Sequence, residues 1–376
     1  MKQLCVAVTG LQRGENPQPG AGIIRSLRRA WPSLHILGLV YDVMESGIYA
    51  EDGPDEVHLM PYPSSGVAAF FERLDAVHSW CPIDILIPTL DAEIALLVNL
   101  RQEFARRGIQ VFLPEANSLQ RRAKQNLPEL AEACDVAVPK TVVLHDTART
   151  HQAVADLGMP LLVKGPYYDA QLVYNTAGVH AAATHLLAEW GAPVILQQRV
   201  TGPEFNVMGI GDGMGNIVAQ CSVRKTIVSD KGKGLGAIVV RDETLDRLCG
   251  KLIRELCWRG PFEIELIRDT ASGGYVLIEI NPRFPAWVDF PSMLGSNFAA
   301  ALLEVILEGH ISRAMPPCRP GAFFVRHQIE VVGDVSNYGG LIGDVDIDAV
   351  IAPQPLSLFQ PACDEVVDSS STGTRS

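Results

Sequence analysis

Up to about residue 115, short apolar runs alternate with stretches whose apolar residues recur every three or four positions. The runs at 4–8, 35–41, 56–60, 84–88 and 110–113 read as buried strands. The stretches at 20–30, 66–79 and 91–107 read as helices. Strands alternating with helices predict βαβ units and a parallel, Rossmann-like sheet. The first strand runs into Thr9-Gly10, and Gly20-Ala21-Gly22 opens the next helix. These glycines are too widely spaced for a dinucleotide fingerprint and read equally well as loop and cap residues. The strand at 84–88 runs into Thr89-Leu90-Asp91. That is the end of a parallel strand where open α/β sheets bind ligands, although Asp91 also suits a helix cap.

From 118 the texture changes. Ser118–Gln125 begins a helix, Val136–Val143 is strand-like, and a helix near 147–157 leads to a strand at 161–164. A further helix precedes the strand Val194–Gln198, so this is a small α+β unit. From 203 to 335 strands dominate, at 204–210, 216–224, 236–241, 261–268, 274–281 and 321–332, with helices near 243–258 and 296–308. Beyond 335 the chain is rich in Gly and Asp. It has a short apolar stretch around 348–359 and ends in a Ser/Thr-rich tail from 368 to 376 that is expected to be mobile.

The block 260–283 carries the most chemistry. Gly260–Ile267 and Tyr275–Asn281 are apolar strands joined by a hairpin loop, Asp269–Gly274. Glu279 and Asn281 are two apart and share a face, while Ile278 and Ile280 face the opposite way. Glu265 on the partner strand is placed to lie across from Glu279; Glu263 shares its face and is the substitute. A carboxylate in so apolar a strand is costly unless paired or metal-bound. Two carboxylates and an amide oxygen make a hard, all-oxygen set that suits Mg²⁺. Arg283 follows just beyond.

Charge narrows the partners. Lys and Arg total 31 against 43 Asp and Glu, a formal net charge of −12, which disfavours nucleic acid as a partner. Small-molecule substrates are expected instead, with no membrane partner and a homodimer left open. The eight cysteines form no CxxC, which predicts reduced thiols. Met1-Lys2 leads directly into a strand, and no apolar run reaches the ~18 residues of a membrane span, so a cytoplasmic protein is expected.

With these residues in place, the chain resembles the ATP-grasp superfamily. The resemblance covers about the first 330 residues and implies ATP and Mg²⁺ as cofactors. It implies a pre-ATP-grasp domain at 1–117, an α+β lid at 118–198, an antiparallel catalytic subdomain at 199–335 and an extension at 336–376. Glu265, Glu279 and Asn281 stand where the family keeps its Mg²⁺ ligands, and Arg283 matches an arginine used on the phosphoryl group. Lys124, in the helix leading to the lid, and Lys164, which ends Leu-Leu-Val-Lys, match its nucleotide-binding lysines. Gln197, Gln198 and Val200 fall in the strand whose backbone reads adenine, and Glu204 matches the carboxylate that holds the ribose hydroxyls. The segment Gly165–Gln171 lacks the glycines of the usual phosphate loop, so the basic segment Lys225–Gly236 is expected to share that task, with Lys225 as a second catalytic cation. Pro285 and Trp287 replace the Gln and Glu that biotin-dependent carboxylases use. The resemblance therefore implies a ligase joining a carboxylate to an amine, an amino acid or small peptide, through an acyl phosphate. A carbamoyl-phosphate or carboxylase type and a non-catalytic nucleotide-binding module are the alternatives.

Overall fold

The computed structural model describes residues 3–12, 16–165, 170–229, 232, 234–332 and 350–351. Of the sequence expectations, the segment 166–169, Lys231, Lys233 and the tail lie outside these residues.

Strands β1 (Cys5–Thr9), β2 (His35–Val40), β3 (Glu56–Leu59) and β4 (Ile85–Ile87) form a parallel sheet in the order β3–β2–β1–β4. Val350–Ile351 adds an antiparallel edge beside β3. The expected strand at 110–113 is reduced to one bridge between Ile85 and Gln110. Residues 112–113 turn instead toward Gly260, where the Phe112 carbonyl approaches the backbone and the Arg259 guanidinium lies 4.3 Å over the Phe112 ring. The helix expected over 91–107 is two helices, Asp91–Leu97 and Arg101–Arg106, because Leu100 closes a tight turn onto Leu97.

The second sheet comprises β5 (Thr141–Leu144), β6 (Leu161–Lys164), β7 (Ala170–Val173) and β8 (Val194–Gln198), antiparallel in the order β5–β8–β6–β7. Helices Thr150–Leu157 and Thr176–Trp190 cover it, burying Ala153, Val179 and Ala183 against Leu161, Val163 and Leu196. The helix Leu127–Cys134 does not join this core: Leu127, Leu130 and Cys134 pack with Leu252 and Trp258 beside the third sheet.

That third sheet holds β9 (Glu204–Asp212), β10 (Ile217–Val228), β11 (Gly234–Val239), β12 (Arg259–Arg268), β13 (Tyr275–Asn281) and β14 (Phe323–Val325). They are antiparallel in the order β13–β12–β9–β10–β11–β14. β14 is shorter than the expected 321–332 because its partner β11 begins at Gly234, which leaves residues past Arg326 no strand to pair with. Period-2 alternation gives the sheet two faces. Phe205, Val207, Phe262, Ile264 and Leu266 lie under helix Glu243–Leu256. On the other face Met208, Ile210, Cys221 and Val239 join the core that also contains Ile23 and Leu27 of helix Gly20–Ala30 and Leu302 and Leu303 of helix Phe298–Glu308. Each such side chain contributes roughly 1.5–3 kcal/mol on burial. The first and third sheets are thereby welded together. Asp289 adds to the weld, accepting from Arg25 Nε at 2.8 Å and from Ser26 Oγ at 3.2 Å. At one end of the shared face the apolar pattern gives way to polar residues, and the site begins there.

Candidate active site

The register sets Glu265 opposite Glu279 and Glu263 opposite Asn281, and on the other side of β12 sets Asn206 opposite Glu265. Three strands therefore bring their polar residues to one patch. Lys225 of β10 reaches into it, with Nζ donating to Glu204 at 2.8 Å and to Glu265 at 3.2 Å. Lys124 lies 3.3 Å from the Glu279 carboxylate. It stands in a turn between helices Ala116–Arg121 and Leu127–Cys134, not in a helix as expected, because the preceding helix ends at Arg121.

Glu263 takes the central place. Asn206 Nδ2 donates to it at 2.5 Å, Asn281 Nδ2 at 3.2 Å and Arg283 Nη1 at 3.2 Å. Burial pushes its carboxyl up and the neighbouring Glu265 charge adds to this, against the pull of Arg283 and Asn206. Glu265 and Glu279 are more open, with side chains 28% and 25% exposed against 6% for Glu263. Both carboxylates of β12 line the cavity described below, and Glu265 is the more exposed of the two.

Arg283 is held from both sides, by Glu263 and, through Nε at 3.1 Å, by Asp91. Burial alone would lower its pKa; Asp91 and Glu263 outweigh burial and keep it charged. Asp91 is the first residue of its helix and does not cap it. Glu93 does the capping, and its buried carboxylate also accepts from Thr9 Oγ1 at 2.7 Å and from the Tyr41 hydroxyl at 2.7 Å. This network fixes the loop after β4 and so aims Asp91 across the sheet junction. Arg122 supports the same corner, donating to the Ile280 carbonyl at 3.2 Å.

Lys164, at the end of β6, is buried and donates to Gln197 Oε1 at 2.7 Å. Burial lowers its pKa, while Glu279 draws it up and Lys124 pushes it down. Gln198 ends β8 exposed, and Val200 lies in the link to β9. Lys225, Glu265, Arg283 and Asp91 converge on a cavity of about 350 Å³ at the junction of the first and third sheets, and Pro285, Trp287, Phe324 and Arg326 complete its walls. Lys124, Lys164, Gln197, Gln198, Val200, Glu204, Glu279 and Asn281 are not part of that wall.

Asn206, Arg122 and Arg326 were absent from the sequence reading of the site. Asn206 carried a signal, since it is two residues from Glu204 on the same strand face. Arg122 is two residues from Lys124 in a turn, where no periodicity applies, and Arg326 stood in an unremarkable strand end.

Oxygen donors dominate the open part of the patch. Glu265 and Glu279 face one another on paired strands and offer carboxylate oxygens that suit Mg²⁺, while Asn281 is buried and its Nδ2 donates to Glu263 and to Glu265, each at 3.2 Å.

No protein-family model matches the chain. A carbamoyl phosphate synthase large chain from Corynebacterium glutamicum is 24% identical over 222 residues, which span 54% of this chain and 20% of that one. The chain thus spans about a fifth of this curated relative. Among solved structures, an L-amino acid ligase from Bacillus licheniformis aligns with a TM-score of 0.62 at 15% identity, covering 82% of this chain and 75% of the ligase. The biotin carboxylase domain of a Hydrogenobacter thermophilus 2-oxoglutarate carboxylase, solved with MgADP and bicarbonate, aligns with a TM-score of 0.66 at 15% identity, covering 86% and 74%. An N5-carboxyaminoimidazole ribonucleotide synthetase from Thermus thermophilus gives 0.62 at 13%, covering 85% and 81%. The fold is the ATP-grasp fold, with a parallel-sheet N-terminal part and two antiparallel sheets. Among the described residues no helix is long and apolar enough to cross a membrane.

Proposed function

We propose that this chain is an ATP- and Mg²⁺-dependent ligase that activates a substrate carboxylate as an acyl phosphate, releasing ADP, and joins it to an amine, which displaces inorganic phosphate. An amino acid or small peptide is the proposed substrate class. The observation that carries this reading is the facing pair Glu265 and Glu279, with Asn281 beside it and a lysine on each carboxylate, in an ATP-grasp fold. A bound Mg²⁺ would neutralise charge on the phosphate oxygens, with Glu265, Glu279 and Asn281 to hold it.

The chain's own residues account for the rest. Lys164 and Lys124 offer ammonium groups to the nucleotide phosphates from the second sheet and from the turn before it. Glu204 is assigned to the ribose hydroxyls, and the 195–200 segment to adenine. Arg283, rigid between Asp91 and Glu263, presents its remaining donors to the transferring phosphoryl group and then to the oxyanion that forms as the amine adds. Lys225 stands beside Glu265 as the second cation on that charge. Residues 118–198 are the proposed lid; closed, it keeps water from the acyl phosphate. Pro285 and Trp287 leave the cavity wall without the polar pair that would serve bicarbonate.

Hydroxylamine intercepts an acyl phosphate as a hydroxamate, so the amine need not be known. With ATP, Mg²⁺ and a library of amino acids and peptides, the protein is expected to form hydroxamate together with ADP. Glu279→Ala is expected to abolish both while its circular dichroism is unchanged. ADP release that requires bicarbonate alone, with no hydroxamate from any library member, would overturn the ligase reading.

A further inference from the structure

Among the described residues the cavity wall holds three cations, and two of them already have partners. Lys225 is paired with Glu204 and Glu265, and Arg283 with Asp91 and Glu263. Arg326 is the third. It follows β14, and its backbone N–H donates to the Leu235 carbonyl at 2.7 Å, which pins it to the start of β11. Its guanidinium lies 5.7 Å from the Phe324 ring. Among the described residues no carboxylate forms an ion pair with it. Glu263 is the acid whose charge it senses, and both oxygens of Glu263 are committed to Asn206, Asn281 and Arg283. Burial lowers the Arg326 pKa to about 10, so the group remains a cation at neutral pH. A half-buried guanidinium has given up part of its water without gaining a protein anion. Trp287 stacks on Phe324 at 6.5 Å and 19°, a flat apolar face that lines the cavity together with the arginine.

From this arrangement we infer that Arg326 is a specificity-determining residue that binds a second carboxylate on a substrate, one that is not activated, in the cavity that Glu265 also lines. A planar guanidinium matches a carboxylate with two parallel hydrogen bonds, and an arginine that lacks a protein partner is set to discriminate an acid from its amide. The inference rests on the ligase reading for the word substrate, but the binding it describes does not. The carboxylate has two sources: a dicarboxylic acid whose other end is activated, or the free carboxylate of an acceptor amino acid.

The test uses matched pairs that differ only at one carboxylate. For the acid they are glutarate and glutaramate, succinate and succinamate, L-glutamate and L-glutamine, and L-aspartate and L-asparagine. For the acceptor they are glycine, L-alanine and L-phenylalanine with their amides. Calorimetric titration into the protein in Mg·ADP gives binding without turnover, and hydroxamate or ADP assays give KM where turnover occurs. At least one pair is expected to differ tenfold or more in favour of the acid. Arg326→Gln should erase that difference while leaving the neutral partner within twofold, and Arg326→Lys should restore part of it. The acid pairs respond if the substrate is a dicarboxylate; the acceptor pairs respond if the acceptor's carboxylate is read. If no pair differs tenfold in the wild type, or the difference survives in Arg326→Gln, the inference fails. Binding discrimination without ADP release or hydroxamate would leave Arg326 as a carboxylate site and remove the ligase reading instead.

Discussion

Asp91 is the one carboxylate that the first sheet contributes to Arg283, and Asp91→Asn removes its charge while keeping its shape. Asp91 Oδ2 accepts from Arg283 Nε at 3.1 Å, and Asp91 Oδ1 lies 3.7 Å from Arg122 Nη2. The side chains of Asp91 and Arg283 are only 15% and 18% exposed, so the pair is outside the regime of surface salt bridges, which contribute ~0.2–1 kcal/mol. Arg283 keeps Glu263 when Asp91 is neutralised. The loss should therefore fall short of the ~3–5 kcal/mol of a fully broken buried pair. The range for one charged hydrogen bond applies, about 1.5–3 kcal/mol. A double-mutant cycle of Asp91→Asn, Arg283→Met and the double variant, each unfolded in guanidinium chloride, isolates the pair from the other contacts of Arg283. A coupling energy in that range is expected. Near-additive effects, with coupling under about 0.5 kcal/mol, would mean that the loop after β4 does not hold Arg283 in solution. The role assigned to the Glu93 network would then fall with it.

Two further outcomes follow from the geometry. The pKa of Lys164 is lowered by burial from its ordinary 10.5, so between the lowered value and 10.5 the unfolded chain holds a proton that the folded chain does not. Stability from this group therefore rises as pH rises through that window. Relative to Lys164→Met, the wild type should gain in thermal stability as pH rises toward 10.5, and parallel pH profiles would contradict the buried placement. At Gly20, an added methyl group would sit 2.1 Å from the Thr9 carbonyl and 2.5 Å from that of Gly10. Gly20→Ala should thus cost about 1–3 kcal/mol or more, as overpacking does, and a denaturation midpoint equal to that of the wild type would show that the helix does not start against β1 as described.

The three-sheet plan was legible because each unit obeys one period. Buried parallel strands read as continuous apolar runs, and the third sheet reads as alternation. The errors share a cause. Residues 110–113 are as apolar as a strand, yet tertiary contact with Arg259 and Gly260 draws the chain away from β4. The stretch 91–107 has helical spacing throughout, yet one tight turn at Leu100 breaks it. Periodicity reports which side of a segment is buried. It does not report what the backbone must do to meet a neighbour from elsewhere in the chain.

The site shows the same boundary more sharply. Glu263 and Glu265 are indistinguishable by period, since residues two apart share a strand face. What separates them is register. Glu263 falls opposite Asn281 and comes within reach of Asn206 and Arg283, deep enough to be held by three donors. Glu265 falls opposite Glu279, next to the irregularity between Glu265 and Leu266, and remains open with Lys225. One carboxylate is thus buried against Arg283 and the other stays more exposed beside Lys225, although the local sequence treats them alike. A shift of the hairpin by two residues would exchange their surroundings while keeping every apolar residue inside. It would put Asn281 and Glu279 against the wrong partners and leave Arg283 held from one side only. The pairing of Glu263 with Arg283, Asn206 and Asn281 opposes that slip, because the slipped hairpin would leave a buried carboxylate with fewer donors, a loss of order 1–3 kcal/mol for each missing charged hydrogen bond.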